Sequence, residues 1–208
     1  MNKNLLVSLI IVLLFPTFGG FGLGATATHL PPAKGAKLPV INLQIPKDRV
    51  QRTYLGLTGT GYFKIPQIKA EAIIIEIFNL YCPICQSTSS AMTEIYHWIE
   101  HNPKIKDKIK LIGIGVGNSL LEVEVFKQDN NIPFPVFPDE NFEIHQALGE
   151  VRTPFFIAIK LEKDGSHEIV HTHLGGLTDP RAFLDLMVEA YGMKREDLLI
   201  KEAASLPR

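Results

Sequence analysis

One stretch, Ala72 to Thr88 (AIIIEIFNLYCPICQST), restricts what this chain can fold into more than any other. Its opening run, Ala72-Ile73-Ile74-Ile75-Glu76-Ile77-Phe78, is apolar and β-branched, as in a strand buried on both faces. A segment with helical periodicity follows, and Cys82-Pro83-Ile84-Cys85 stands at the junction. These are the only two cysteines in 208 residues. Their spacing lets both sulfurs meet across one helical turn, so the pair can close a small disulfide ring or reopen it. A redox pair is the first reading.

The junction favours a reactive thiol. Cys82 falls at the N-cap of the coming helix, with Pro83 at the first helical position, where its missing N–H costs nothing. Free N–H groups and the positive end of the helix dipole then face the Cys82 sulfur. Thiolates so placed have pKa values lowered to roughly 3.5–7.5. Cys85 lies one turn further in, on the apolar side with Ile84 and Thr88, and is expected to be the more buried. Cys82 is the expected attacker and Cys85 the resolver.

Other uses of the pair meet specific obstacles. Attachment of a c-type haem needs His after the second cysteine, where Gln86 stands. A structural zinc site needs four ligands; no second CxxC exists, and the dense histidine group is His167, His171 and His173. A structural disulfide between such near neighbours would constrain little. The rival class is a metal carrier using Cys82, Cys85 and His171 or His173, with the fold as scaffold only.

Length suits one domain with terminal extras, and 21 basic against 22 acidic residues leave no polyanion-binding surface, so no nucleic-acid partner is expected. Residues 1–27 read as a signal peptide, with an uncharged run from Leu5 and an Ala25-Thr26-Ala27 cleavage pattern that would start the mature chain at Thr28. An uncleaved membrane anchor is the alternative, and a membrane is a partner only in that case. The rest of the chain is then expected in a periplasmic or other extracytoplasmic compartment, where a disulfide persists.

Residues 28–50 read as an extended linker with a short edge strand near Leu38–Leu43, and Tyr54–Ile65 as a small hairpin around glycines. After CPIC, the apolar positions Ile84, Thr88, Ala91, Met92, Ile95 and Ile99 trace one helical face that stops before Pro103. His97 and His101 fall on its solvated side. Lys110–Gly117 is a second buried strand, and Ser119 with Glu122 forms a capping box that opens a helix to about Asp129. A short extended piece at Phe134–Pro138 and a short helix at Asn141–Leu148 follow. Strands at Phe155–Leu161 and Glu168–His173 are joined by the turn Lys163-Asp164-Gly165-Ser166, before a helix at Pro180–Tyr191. The body spans 51–192 and a polar tail 193–208. The fold class is α/β, a sandwich with a mixed sheet.

Strand, aromatic, CxxC, helix and a later Thr-Pro before a hairpin together resemble the thioredoxin superfamily, over roughly Lys37 to Gly192. With the leader and the strand–helix inserts between CPIC and Thr153-Pro154, the chain is most similar to TlpA-like exported thiol–disulfide oxidoreductases. The resemblance implies a three-layer sandwich, with the inserts lying between the CxxC and a cis-proline. It implies Cys82 as nucleophile, Cys85 as resolving cysteine and Pro154 as the cis-proline. Thr153, Tyr81, Pro83 and Ile84 would contact substrate, and Glu76 would be a buried acid beneath the disulfide. The activity implied is thiol–disulfide exchange, expected in the reducing direction and without a cofactor. Its partners would be an exported protein thiol or disulfide and a separate electron-donor protein. Pro83-Ile84 is neither the Gly-Pro of reducing thioredoxins nor the Pro-His of strong periplasmic oxidants. Peroxiredoxins share the fold, but Ile75 and Asn79 stand where their motif carries Pro and Thr. Arg152 reads as a surface charge, and His171 and His173 as surface or packing residues on one face of a strand.

Overall fold

The computed structural model describes residues 30–198. The expected leader, its Ala25-Thr26-Ala27 site and the tail from 199 onward lie outside the described residues. Among the described residues no helix is long and apolar enough to cross a membrane.

The isoleucine run becomes a strand, β3 (Ala72–Phe78), buried along its whole length. It pairs in parallel with β4 (Ile109–Val116), which is equally buried, and antiparallel with β6 (Phe155–Leu161). Further out, β5 (Val136–Asp139) lies parallel to β4, and β7 (His167–Leu174) antiparallel to β6. The five-stranded sheet therefore runs β5-β4-β3-β6-β7 and is mixed, as expected.

Strand alternation sends side chains of β3 to two separate cores. Ile74 and Phe78 meet α2 (Pro83–Glu100) through Met92, Ile95 and Ile99. The same layer holds α3 (Leu120–Asp129) through Val123 and Phe126, and α5 (Pro180–Ala190) through Phe183, Leu184 and Met187. Ile73, Ile75 and Ile77 face the other layer, where Leu55, Phe63 and Leu148 cover them. Each such isoleucine contributes roughly 1.5–3 kcal/mol by leaving water. The result is a three-layer sandwich, with α3 and β5 inserted between the CxxC and Thr153-Pro154 and the short helix α4 (Glu143–Ala147) after β5.

The N-terminal third departs from expectation. No local hairpin forms over Tyr54–Ile65. Asp48 caps α1 (Arg49–Leu55) by accepting from the Val50 N–H, and Gly56 ends it in the left-handed region at φ +65°. Leu55 and Tyr54 draw this helix inward, Leu55 into the core and the Tyr54 hydroxyl to the Leu111 N–H at 2.7 Å. Tyr62–Lys64 is a strand, β2, but its partner is β1 (Asn42–Gln44), twenty residues upstream, and the two form a separate small sheet. The stretch read as linker belongs to the body as well: Leu38, Ile41 and Leu43 are buried, and Gly35 and Ala36 exchange hydrogen bonds with Ile169 on the edge of β7. At the other end Leu198 is buried and Asn102 Nδ2 donates to the Asp197 carbonyl, so the start of the tail packs too.

Candidate active site

Cys82 is the N-cap of α2, with extended backbone (φ −81°, ψ 116°) and Pro83 as the first helical residue. Both cysteines are free thiols, Cys82 half-buried and Cys85 buried. The adjoining loop comes from the start of β6, where the Thr153–Pro154 bond is cis. The Cys82 S–H donates to the Thr153 carbonyl at 3.6 Å. Pro154 is buried, and its carbonyl accepts the Gly175 N–H at 2.9 Å. His145 Nε2 meets the Val151 carbonyl at 2.9 Å, bracing the approach to this loop.

The two sulfurs sit in unequal environments. Burial raises the Cys82 pKa, but hydrogen bonds from Cys85, the Thr153 side chain and the Ile84 N–H outweigh it and leave the thiol below its ordinary value. Burial pushes the Cys85 thiol up to about 12, offset only in part by the Asn79 N–H. At neutral pH one sulfur is the better thiolate and the other is a stored proton.

Around the pair the surface is apolar and open. Tyr81 is 68% exposed and Ile84 52% exposed; Pro83 is exposed and Thr153 half-buried beside them. Gly176 passes so close to α2 that a Cβ there would stand 3.0 Å from Ile84 Cγ2 and 3.1 Å from Thr88 Oγ1. The structure thus gathers Tyr81, Cys82, Pro83, Ile84, Thr153 and Pro154 at one end of the sheet. Arg152 is exposed.

Glu76 lies on the α2 side of β3, opposite Gly113 on β4 and Phe156 on β6. It is only 4% exposed, and burial alone raises its pKa to about 8. Among the described residues no hydrogen bond joins it directly to Cys85. A neutral carboxyl near pH 7 is able to take part in proton exchange in either direction.

His145 aside, no histidine among the described residues hydrogen-bonds to either cysteine or to the Val151–Pro154 loop. His173 packs its ring against Phe156 and Phe183, each at 5.9 Å between centroids. Burial lowers the pKa of His171, with His173 and Lys34 adding to the effect. His97 and His101 lie one turn apart at the end of α2 with their rings tilted at 47°, and His101 Nδ1 is against the His97 carbonyl. Among the described residues no group of three or more His, Cys, Asp or Glu side chains is disposed to hold a metal ion.

Sequence reasoning overlooked four residues that shape the site. Asn79 and Asn118 brace the turn before Cys82, His145 braces the loop before Pro154, and Glu122 accepts the Tyr81 hydroxyl at 2.6 Å. Glu122 was legible only as a capping residue; its contact with Tyr81 spans 41 positions and leaves no local signal.

No family profile matches the chain, and no curated protein matches it. Solved structures do. A thiol:disulfide interchange protein from Bacteroides sp. superposes with a TM-score of 0.56 at 11% identity, over 79% of this chain and 94% of that one. A secreted thiol-disulfide isomerase from Corynebacterium glutamicum gives 0.54 at 19% identity, over 74% and 85%. A thiol:disulfide interchange protein of the thioredoxin family from Chlorobium tepidum gives 0.53 at 18% identity, over 77% and 99%. At such identities the likeness establishes architecture: this chain has the thioredoxin fold.

Proposed function

We propose that this thioredoxin-fold chain is an exported thiol–disulfide oxidoreductase that reduces disulfides in proteins. The observation that carries the reading is the inequality of the two sulfurs, a half-exposed Cys82 with lowered pKa above a buried Cys85 pushed up to about 12. The Cys82 thiolate attacks one sulfur of a substrate disulfide; a mixed disulfide forms and the other substrate sulfur leaves as a thiolate. Cys85 then loses its proton and attacks the Cys82 sulfur. The bound substrate sulfur leaves, the substrate has gained two electrons, and Cys82–Cys85 is oxidised. A separate dithiol protein restores the pair.

Glu76 is the acceptor for the Cys85 proton, since its raised pKa lies near the pH at which the transfer must occur. Tyr81, Pro83, Ile84 and Thr153 form the surface that a substrate segment meets. What supports the reducing direction is the set of groups that lower the Cys82 pKa, which among the described residues are uncharged donors with no cation. Strong oxidants are those whose reduced form is held far below the disulfide in energy.

The test is trapping. Cys85→Ala expressed with its leader should accumulate mixed disulfides with exported proteins, whereas Cys82→Ala should accumulate none. Equal trapping by both variants would reverse or abolish the assignment. Fractionation of the same cells checks the compartment, and a full-length chain retained in the cytoplasm would refute export.

A further inference from the structure

Three consecutive residues lead from β3 into Cys82, and each is tied to the junction between β4 and α3. Asn79 Nδ2–H donates to the Val116 carbonyl at 2.7 Å. The Leu80 N–H donates to Asn118 Oδ1 at 3.0 Å, and the Tyr81 hydroxyl to Glu122 Oε1 at 2.6 Å. We propose that Glu122 is a positioning residue for disulfide exchange: its carboxylate latches the Tyr81 hydroxyl, so a substrate segment meets Cys82 beside an aromatic ring held in one place. This rests on the exchange reading above and adds to it a residue in the inserted helix.

The geometry separates the latch from ordinary helix capping. Capping occupies Glu122 Oε2, which accepts from the Ser119 N–H and the Ser119 hydroxyl, both at 2.7 Å. Oε1 remains free of the cap, and it is this oxygen that accepts the hydrogen bond from the Tyr81 hydroxyl. A hydrogen bond to an ionised carboxylate is stronger than one between neutral groups. Bonds from Tyr81 and Ser119 hold the Glu122 carboxyl down at about 2, so it stays charged wherever thiols exchange. The same bond raises the Tyr81 phenol.

The ring has little else to restrain it. Tyr81 is largely exposed, and its remaining tie is its own N–H to Asn79 Oδ1 at 2.8 Å. Beneath it Asn118 is fully buried and holds the Leu80 backbone, so the turn is rigid while the ring depends on its hydroxyl. The inserted helix thereby reaches back to the reacting end of the chain.

The test uses the full reduced chain with insulin as the protein disulfide and dithiothreitol as electron source. Tyr81→Phe removes the hydroxyl and keeps the ring; Glu122→Gln keeps a capping oxygen. Each single variant should lose about fivefold in kcat/KM, carried by KM, as expected for one hydrogen bond. The double variant should lose no more, because both substitutions remove the same bond. A phenol absorbance titration supplies an independent signature. The Tyr81 contribution, isolated by subtracting the Tyr81→Phe spectrum, should ionise at lower pH in the Glu122→Gln background. An unmoved phenol titration, full activity in Tyr81→Phe, or losses that add in the double variant would each overturn the latch. Wild-type protein inert toward insulin would instead overturn the exchange reading, and the latch's role with it.

Discussion

Replacing Glu76 by Gln isolates the most perturbed carboxyl group at the site. Glu76 holds its proton more tightly in the fold than in the unfolded chain, with its pKa moving from 4.5 to about 8 through burial alone. The contribution of the neutral carboxyl to stability is therefore fully present below the unfolded pKa and is lost as pH rises through the folded one. Integrating the proton linkage from about pH 5 to about pH 8 gives a loss of roughly 3–4 kcal/mol that belongs to this group. Gln has no proton to lose, so the stability of the variant relative to wild type should grow by that amount over the same interval. For a chain of this size, at about 2–4 °C per kcal/mol, the gap in Tm should widen by roughly 10 °C. Urea unfolding of both reduced proteins at several pH values measures it, and other titrating groups cancel in the difference. Two pH profiles that run parallel would refute a raised Glu76 pKa. The same variant reads the kinetic role: closure of Cys85 on a mixed disulfide should slow by about 10²–10⁴-fold near neutral pH. Unchanged closure at every pH would leave Glu76 as a structural residue.

Alkylation of the reduced native protein by iodoacetamide near pH 7 should modify Cys82 alone, with Cys85 reacting only after unfolding. Peptide mapping checks this, and equal labelling would contradict the inequality of the two sulfurs. Gly115→Ala should lower Tm by several degrees, because the new Cβ would stand 2.6 Å from Val123 Cγ1 and 3.2 Å from Phe78 Cζ, an overpacking that costs about 1–3 kcal/mol. A thermal melt decides it, and an unchanged Tm would mean α3 can move away freely.

Local patterns carried the middle of the chain, where the elements are long and their signals are covalently close. The isoleucine run of β3, the Cys82-Pro83 start of α2 and the Ser119–Glu122 box of α3 all stand where the pattern predicts. Each is fixed by neighbours within a turn or by side-chain alternation, so no distant partner is needed to read it. The segment before β3 is different. The alternation of Tyr54–Ile65 reads as a hairpin, and the helix α1 between Asp48 and Gly56 appears only in the structure. Strands of three residues, as in β1 and β2, are too short to outweigh whatever they pack against. Their pairing is decided by the core that Leu43 and Phe63 enter.

The candidate site divides along the same line. Sequence alone determined that two thiols share one helix start, and that an acid lies in the strand that precedes them. Only the tertiary structure decided how unequal the thiols are, because Cys85 is buried in the packed core and Thr153, far along the chain, reaches Cys82. Only it joined Tyr81 to Glu122. A hydrogen bond between exposed side chains 41 positions apart depends on the parallel packing of β3 beside β4, and no local pattern encodes that distance.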